Sequence, residues 1–193
     1  MLFNSVEFLL FLPIVFILYW FVFDKKLKYQ NLLILVSSYI FYGWWDYRLL
    51  SLILLSTIVD YFIGLGIYNQ TSLKNKKNLL WGSVLFNLGI LGFFKYYNFF
   101  IDSWIDLFSS IGYDNKSAWT LNIILPVGIS FYTFQTMSYT IDIYKRNLKP
   151  TKDFISFASF VSFFPQLVAG PIERATNLLP QILKKREFKI DKE

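Results

Sequence analysis

Long apolar runs alternate along the chain with short polar links that are rich in lysine. A helix rises about 1.5 Å per residue, so roughly 20 consecutive apolar residues are needed to cross the hydrocarbon core of a bilayer. Five runs reach or approach this length, over residues 3–23, 29–45, 49–68, 78–94 and 121–144. The pattern predicts an all-α fold: a polytopic integral membrane helical bundle with about five transmembrane helices.

Two other apolar stretches are unlike complete spans. Residues 96–111 mix aromatic side chains with Asp102 and Asp106, which predicts an interfacial helix lying in the plane of the membrane surface. Residues 154–169 are short for a span and are interrupted by Pro165. Irregular backbone at membrane depth is tolerated where it is buried in protein or lines a water-filled cavity, so we predict a re-entrant segment here.

Composition agrees with a membrane location, and charge indicates an orientation. Of the 193 residues, 55% are hydrophobic and only 17% are charged, whereas about 25% are charged in a typical soluble domain. The net charge of +6 comes from basic clusters in the links at 24–28, 69–77 and 145–153 and in the C-terminal tail. Because cytoplasmic loops carry such clusters, the N-terminus is predicted to be extracytoplasmic, and no nucleic-acid partner is expected.

The absence of two residue types narrows the possible chemistry. Without cysteine the chain has no disulfide or thiolate metal site, and without histidine it lacks the commonest general base and metal ligand. Gly128 and Ser130 resemble part of a serine hydrolase elbow, but the second glycine of G-x-S-x-G and an activating histidine are missing. We therefore predict neither a metal site nor a catalytic residue.

Polar side chains inside the predicted spans are candidate site residues. Asp60 lies in the third span, where an ionised carboxylate is costly unless it faces a partner helix or a water-filled cavity. It belongs either to a pathway or to a hydrogen bond or ion pair between helices. The fifth span is unusually polar, with Ser130, Thr133, Gln135, Thr136, Ser138, Thr140 and Asp142. A cavity-lining face and packing within the bundle both explain this polarity.

The segment at 163–174 contains two prolines and one glycine, which break a helix at the predicted membrane depth. Gln166, Glu173 and Arg174 flank these breaks and are further candidates. A local salt bridge between Glu173 and Arg174, with no other role, is the alternative interpretation.

Several motifs resemble a known family. The chain contains PVGISFYTFQ at 126–135, SYTIDIY at 138–144 and FPQLVAGPI at 164–172, and its opening at 3–13 and the aromatic stretch at 39–45 are also similar. Together these motifs resemble the bacterial membrane-bound O-acyltransferase family, in its alginate O-acetyltransferase branch. The resemblance covers nearly the whole chain.

The resemblance implies acyl transfer across a bacterial inner membrane. In this family an acyl group from a cytoplasmic donor, such as acetyl-CoA or another acyl thioester, passes through a tunnel in the helical bundle to a hydroxyl outside. The implied acceptor is a polysaccharide or an extracytoplasmic acetyltransferase partner, and no permanently bound cofactor is implied. Under this resemblance the fifth span and the segment at 165–174 would line the tunnel. The candidate tunnel- or substrate-lining residues are Asp60, Gly128, Ser130, Gln135, Pro165, Gln166, Gly170, Glu173 and Arg174.

The family's catalytic histidine lies in its C-terminal half, beyond the matched region, and further spans follow there. We therefore expect residues 1–193 to be the N-terminal part of a single membrane-embedded acyltransferase domain, truncated and inactive on its own. Two other interpretations stay open. One is a small transporter or channel lined by the fifth span, and the other is a non-catalytic scaffold subunit of a polysaccharide export machine.

Overall fold

The computed structural model describes residues 3–110, 126 and 128–186. Helices account for most of these residues, and no strand occurs among them. The elements are α1 (Val6–Ile17), which continues as a π-helical turn (Leu18–Val22), α2 (Leu27–Asp46), a 3-10 turn (Tyr47–Leu49), α3 (Leu50–Asn69), α4 (Leu73–Ser110), α5 (Ile129–Tyr144), α6 (Phe154–Val161), α7 (Phe164–Ala169) and α8 (Ala175–Leu183). The all-α prediction is confirmed for the described part of the chain.

The first three predicted spans are helical over nearly all of the predicted residues. The N-cap of α1 is Ser5, whose side-chain oxygen accepts a hydrogen bond from the backbone N–H of Phe8 (3.2 Å). Pro13 lies within α1 without ending it. Between α2 and α3, the carboxylate of Asp46 accepts a hydrogen bond from the N–H of Arg48 (2.9 Å). Capping residues that the sequence contains thus set these boundaries.

The fourth predicted span belongs to a longer helix, and the prediction of a separate interfacial helix at 96–111 is wrong. Its described residues, 96–110, simply continue α4. They contain neither proline nor glycine, so nothing in the sequence ends the helix there. The 38 residues of α4 extend roughly 57 Å, well beyond the thickness of a hydrocarbon core. The position of Asp102 and Asp106 relative to a membrane stays a prediction.

The described part of the fifth predicted span is α5. Residues 121–125 and 127 lie outside the part of the chain that the structure describes. Gly128 precedes α5 with φ at 77°, in the left-handed region that favours glycine. The chain therefore turns into α5 at a position where other residues would be strained.

The predicted interruption of the run at 154–169 is confirmed, but the helix does not break at Pro165. α6 ends at Val161, and the chain leaves helical geometry at Phe163 (φ −54°, ψ 102°). Pro165 lies in the first turn of α7, where a residue without an N–H loses no helical hydrogen bond. The re-entrant course of this pair of short helices stays a prediction.

The last described helix, α8, was not predicted from the sequence. Its buried side chains Ala175, Leu179 and Ile182 recur at spacings of four and three residues and so lie on one face. The helix packs against α5 and α6. The same spacing is visible in the sequence, so the apolar period was sufficient to predict this helix.

The central helix of the bundle is α5, which packs against α3, α4, α6 and α8. α2 packs against α6 and α7. The core is strongly aromatic, and its largest fully buried rings are Phe41, Tyr132, Tyr139, Phe157 and Phe160. This arrangement places the polar residues of α5 between several neighbours at once.

Outward-facing side chains are also apolar, among them Leu9 and Phe62, which are more than half exposed. Two helical stretches, Leu27–Asn69 and Leu73–Ser110, are long and apolar enough to cross a membrane, judged by length and composition. Val6–Val22 and Phe154–Leu167 are shorter apolar helices. These features agree with a helical membrane protein, and the number of spans stays a prediction.

Candidate functional site in the polar core

A cluster of buried polar side chains joins α3, α4 and α5. This Asp60 cluster consists of Asp60 from α3, Ser83 and Asn87 from α4, and Thr136 and Thr140 from α5, all without solvent exposure. The two residues on α4, like the two on α5, are four positions apart, so each helix presents its pair on a single face. Apolar packing brings these faces together, so the polar groups on them become hydrogen-bonding partners of one another.

Each oxygen of the Asp60 carboxyl group has a partner on α4. Oδ1 lies 2.6 Å from Oγ of Ser83, and Oδ2 accepts a hydrogen bond from Nδ2 of Asn87 (2.7 Å). Oγ1 of Thr136 donates to Oδ1 of Asn87 (3.2 Å), and the hydroxyl oxygens of Ser83 and Thr140 are 3.0 Å apart. Because unpaired buried polar groups are costly, these bonds fix the relative register of three helices. The structure thus shows Asp60 in hydrogen bonds between α3 and α4, which is one of the interpretations predicted for it.

A second polar contact joins α5 to the break between α6 and α7. Nε2 of Gln135 donates to the carbonyl of Phe160 (2.7 Å) and lies 3.5 Å from Oε1 of Gln166. Nε2 of Gln166 donates to the carbonyl of Pro171 (3.1 Å). Amide side chains thus satisfy backbone carbonyls that the interrupted helices leave open. Gln135 and Gln166, two predicted site residues, are brought together here.

Two predicted glycines lie where the chain approaches other groups too closely for a side chain. A Cβ on Gly128 would lie 2.1 Å from the hydroxyl oxygen of Tyr42 and 3.0 Å from the carbonyl oxygen of Leu167. A Cβ on Gly170 would lie 2.9 Å from Cα of Gln166. Gly128 and Gly170 therefore both adjoin α7, beside the contact between the two glutamines.

The remaining predicted site residues lie nearer the surface. Ser130 is half-buried in the first turn of α5, and Pro165 is exposed on α7. Arg174 is exposed at the start of α8. Glu173 accepts a hydrogen bond from Nδ2 of Asn177 (3.3 Å) in α8, in place of the predicted alternative of a salt bridge to Arg174.

The polarity of α5 is distributed over three sets of neighbours. Thr136 and Thr140 face α4, and Gln135 faces α6 and α7. Oγ of Ser138 accepts a hydrogen bond from the backbone N–H of Ala175 at the start of α8 (3.3 Å). Contacts between helices therefore account for these four polar side chains of α5.

A second buried cluster, the Asn31 cluster, was not predicted from the sequence. Nδ2 of Asn31 donates to Oγ of Ser156 (2.8 Å) on α6 and to the carbonyl of Ile182 (3.1 Å) on α8. Oγ of Ser159 donates to the backbone carbonyl of Asn31 (2.7 Å). Asp60 was selected because it is a polar residue within an apolar run. Asn31 and Asn87 meet the same criterion if amide side chains are included beside charged ones.

Arg186, which follows α8, completes the Asn31 cluster. One terminal nitrogen of its guanidinium donates to Oδ1 of Asn31 (2.6 Å) and to the carbonyl of Ile182 (2.7 Å). The other terminal nitrogen donates to the hydroxyl of Tyr19, in the π-helical turn after α1. The cluster thereby ties the chain after α8 to the first two helices.

One cleft among the described residues lies apart from the predicted site residues. An open, mostly apolar cleft of about 510 Å³ lies along the start of α1, between residues 3 and 13, and none of the predicted site residues lines it. Within 3–110, 126 and 128–186, no three acidic side chains converge as metal ligands. Specific buried contacts between helices are made instead by the Asp60 cluster and by Gln135 and Gln166.

The chain is similar over its full length to proteins named as acetyltransferases. It is 40% identical over 195 residues to the probable alginate O-acetylase AlgI of Pseudomonas aeruginosa, a match that covers 100% of this chain and 36% of that protein. It is also 40% identical to the probable alginate O-acetylase AlgI of Pseudomonas putida, with coverage of 100% and 39%. The peptidoglycan O-acetyltransferase of Helicobacter pylori is 32% identical over 212 residues, covering 96% of this chain and 39% of that protein.

The chain thus spans little more than a third of the length of these curated relatives. No family model matches the sequence, and no solved structure matches the fold. The resemblance to the alginate O-acetyltransferase branch, predicted from the motifs, is confirmed by the relatives.

Proposed function

The chain is a relative of the bacterial alginate O-acetylases, and we propose that it forms the N-terminal part of a membrane-embedded O-acetyltransferase domain. The observation that carries this proposal is the similarity along the whole chain to acetyltransferases named for two different polymers, alginate and peptidoglycan. In the proposed reaction, an acetyl group passes from a cytoplasmic thioester such as acetyl-CoA to a hydroxyl of an extracytoplasmic polysaccharide. The transfer is direct or proceeds through an extracytoplasmic acetyltransferase partner.

Acyl transfer to a hydroxyl requires a base that removes the proton of the hydroxyl. These 193 residues contain no histidine, the side chain that most often has this role. In our proposal the base belongs to the part of the protein that lies outside these residues. The role of the present chain is to build the bundle and to line the acyl path with the segment around Gln135, Gln166 and the two adjoining glycines.

Acetylation of the polymer in the living bacterium tests the proposed activity. We expect deletion of the gene to lower the O-acetyl content of an extracellular polysaccharide, and complementation to restore it. Membranes from the complemented strain should transfer radiolabel from acetyl-CoA to the polymer, and membranes from the deletion strain should not. Unchanged O-acetylation after deletion, together with equal transfer by both membranes, would contradict the proposal.

A pair of glycine substitutions tests the proposed acyl path. In the complete enzyme, Gly128→Leu should abolish acetylation without preventing membrane insertion, because its Cβ would meet the Tyr42 hydroxyl at 2.1 Å and its φ is positive. Gly170→Leu should behave in the same way. Gly82→Ala on α4 is the matched control, because a Cβ there meets nothing within 4 Å. Full acetylation by both leucine variants would rule out this path.

The proposed membrane placement has five spans and an extracytoplasmic N-terminus, which places the basic links inside. Because the chain has no cysteine, single cysteines can report the side of each link without background from these residues. We expect Arg48→Cys to react with a membrane-impermeant maleimide added to intact cells. Lys74→Cys should react only after the membrane is permeabilised, and the opposite pattern would reverse the orientation.

A further inference from the structure

The link between α5 and α6 carries a concentrated positive charge. This α5–α6 loop, residues 145–153, contains Lys145, Arg146, Lys149 and Lys152, and all four side chains are exposed. Membrane orientation by itself explains basic residues in a link of this kind. A binding role therefore needs features that orientation does not require.

Both ends of the α5–α6 loop are fixed to the bundle. At its start, the backbone N–H groups of Asn147 and Leu148 donate to the carbonyl of Asp142 (2.9 and 3.3 Å). At its end, the hydroxyl of Tyr61 on α3 donates to the carbonyl of Lys152 (2.7 Å). The loop thus holds its cations on a defined backbone, which is one feature that orientation does not require.

Arg146 has a backbone conformation that arginine rarely adopts. Its φ is 63°, and among the residues that the structure describes it is the one non-glycine residue with a positive φ. It follows the C-cap of α5, where glycine is the usual residue in left-handed geometry. An arginine here is less stable than a glycine would be. This is a second feature that orientation does not require, because a glycine here would still leave three lysines in the loop.

The acidic residues nearest in sequence to these cations are used within the bundle. Asp153 caps α6, where its Oδ1 accepts from the N–H of Ile155 (3.0 Å) and its Oδ2 from the hydroxyl of Ser156 (2.5 Å). Asp142 is mostly buried in the last turn of α5. The exposed surface of the loop therefore presents cations to an anionic ligand.

The α5–α6 loop lies at the same end of the bundle as the link between α3 and α4. A Cβ on Gly64 of α3 would lie 2.6 Å from the ring of Tyr139 and 3.0 Å from Ile143, so the C-terminal halves of α3 and α5 run side by side. The start of α4 adds Lys74, Lys76 and Lys77 at this end. Under the proposed orientation this end is cytoplasmic, where the thioester donor is present.

We propose that the α5–α6 loop, centred on Arg146, binds the phosphate groups of the thioester donor. The identity of the donor rests on the proposed function. Coenzyme A carries a diphosphate and a 3′-phosphate, and the planar guanidinium of arginine matches phosphate oxygens in a bidentate contact. Lipid headgroups also carry phosphate and are the competing ligand.

The position of the loop also suits the length of such a donor. Gln135 precedes Lys145 by roughly 15 Å along α5. The pantetheine arm of coenzyme A separates its phosphates from its thioester by a similar distance. Phosphates bound at the loop would leave the acetyl group at the depth of the contact between Gln135 and Gln166.

Kinetics with two donors that share one thioester test the site. Acetyl-pantetheine has the same thioester as acetyl-CoA but lacks its phosphates. In the complete enzyme, reconstituted in phosphatidylcholine nanodiscs, Arg146→Gln should raise the KM for acetyl-CoA about tenfold and leave kcat unchanged, because a charge-assisted contact is lost. The KM for acetyl-pantetheine should not change. Lys95→Gln is the matched control and should alter neither KM, because Lys95 is exposed on α4, roughly 33 Å along the helix from its start.

Arg146→Gly separates the guanidinium from the backbone. Glycine relieves the left-handed strain, so this variant should unfold at a Tm no lower than that of the wild type. It should nevertheless raise the KM for acetyl-CoA as much as Arg146→Gln does. A clearly lower Tm would show that the side chain holds the loop together, and it would overturn the proposal.

Binding of coenzyme A itself separates this inference from the proposed acetyl transfer. In titration calorimetry, wild-type protein in phosphatidylcholine nanodiscs should bind coenzyme A, and Arg146→Gln and added salt should each weaken the binding. No binding by the wild type, unchanged affinity in Arg146→Gln, or equal rises in KM for the two donors would overturn the proposal. An effect of the variant that requires phosphatidylglycerol in the discs would assign the loop to lipid headgroups and overturn it as well. Normal binding of coenzyme A without acetyl transfer would count against the proposed function alone.

Discussion

Two buried polar clusters link the helices, and they differ in how completely each is sealed from the surface. The Asp60 cluster joins α3, α4 and α5 through side chains that have no solvent exposure. The Asn31 cluster joins α2, α6 and α8, but it ends in Arg186, which is only partly buried. The first cluster is therefore closed, whereas the second reaches the surface through a cation.

An asparagine is the hub of both clusters, because an amide donates and accepts at once and can bridge several helices. When Asn87 is removed, its partners Asp60 and Thr136 remain enclosed, and no water replaces the hydrogen bonds that they made to it. When Asn31 is removed, Arg186 can turn towards water. A buried polar group that loses its partner costs more than one that becomes hydrated, so similar changes should have unequal effects.

The largest effect is expected for Asn87→Leu. This change keeps the approximate volume but leaves Oδ2 of Asp60 without the amide donor of Asn87 and removes one of the two acceptors of Thr136, which keeps the carbonyl of Thr133 (3.1 Å). We expect a loss of about 3 kcal/mol in the free energy of unfolding, at the upper end for unpaired buried groups. Thermal unfolding of the solubilised full-length protein measures it, and a variant as stable as the wild type would show that the closed cluster contributes nothing.

Asn31→Leu should cost less, about 2 kcal/mol, because only part of the Asn31 cluster stays enclosed. The carbonyl of Ile182 and the hydroxyl of Ser156 lose a donor, although Ser156 keeps a hydrogen bond to Asp153 (2.5 Å). The same unfolding assay, run beside Asn87→Leu, gives the comparison. A larger loss for Asn31→Leu would reverse the proposed ranking of the two clusters.

The contrast also explains what could be predicted from the sequence. Helix position depends on local apolar runs, so α1 to α3 follow the predicted spans closely. The length of α4 was also a local property, because the lack of proline and glycine over residues 96–110 is visible in the sequence. The break before α7 was harder, since Pro165 is compatible with a first turn and the chain departs from the helix two residues earlier.

The site was less predictable than the helices, because its residues bond to partners that are distant in the sequence. Asp60 is conspicuous in an apolar run, but nothing in the sequence pairs it with Ser83 and Asn87, which lie more than 20 residues away. The pairing arises only when α3 and α4 pack together around α5. Gln135 and Gln166 could be selected one by one, yet their contact depends on how α7 turns back.

A smaller effect is expected for Arg186→Gln, about 1 kcal/mol, because water can replace part of the lost hydrogen bonding at a partly exposed site. The change removes the links from the guanidinium to Tyr19 and Asn31. Lys185→Gln is the matched control, since the neighbouring Lys185 is exposed and should leave the Tm unchanged. Equal Tm values for both variants would mean that Arg186 does not anchor the chain after α8.

The smallest effect is expected for Ser56→Ala, within about 0.5 kcal/mol of the wild type. Ser56 is as buried as Ser83, but its hydroxyl has no hydrogen-bonding partner in the described part of the chain. Removing an unpaired buried hydroxyl gives up no hydrogen bond, whereas Ser83→Ala takes a partner from Asp60 and from Thr140 and should cost about 1 kcal/mol. The two variants lose the same atom at almost equally buried positions, so they differ mainly in whether a hydrogen bond is lost. If Ser56→Ala proved as destabilising as Ser83→Ala, packing rather than hydrogen bonding would explain the stability of the closed cluster.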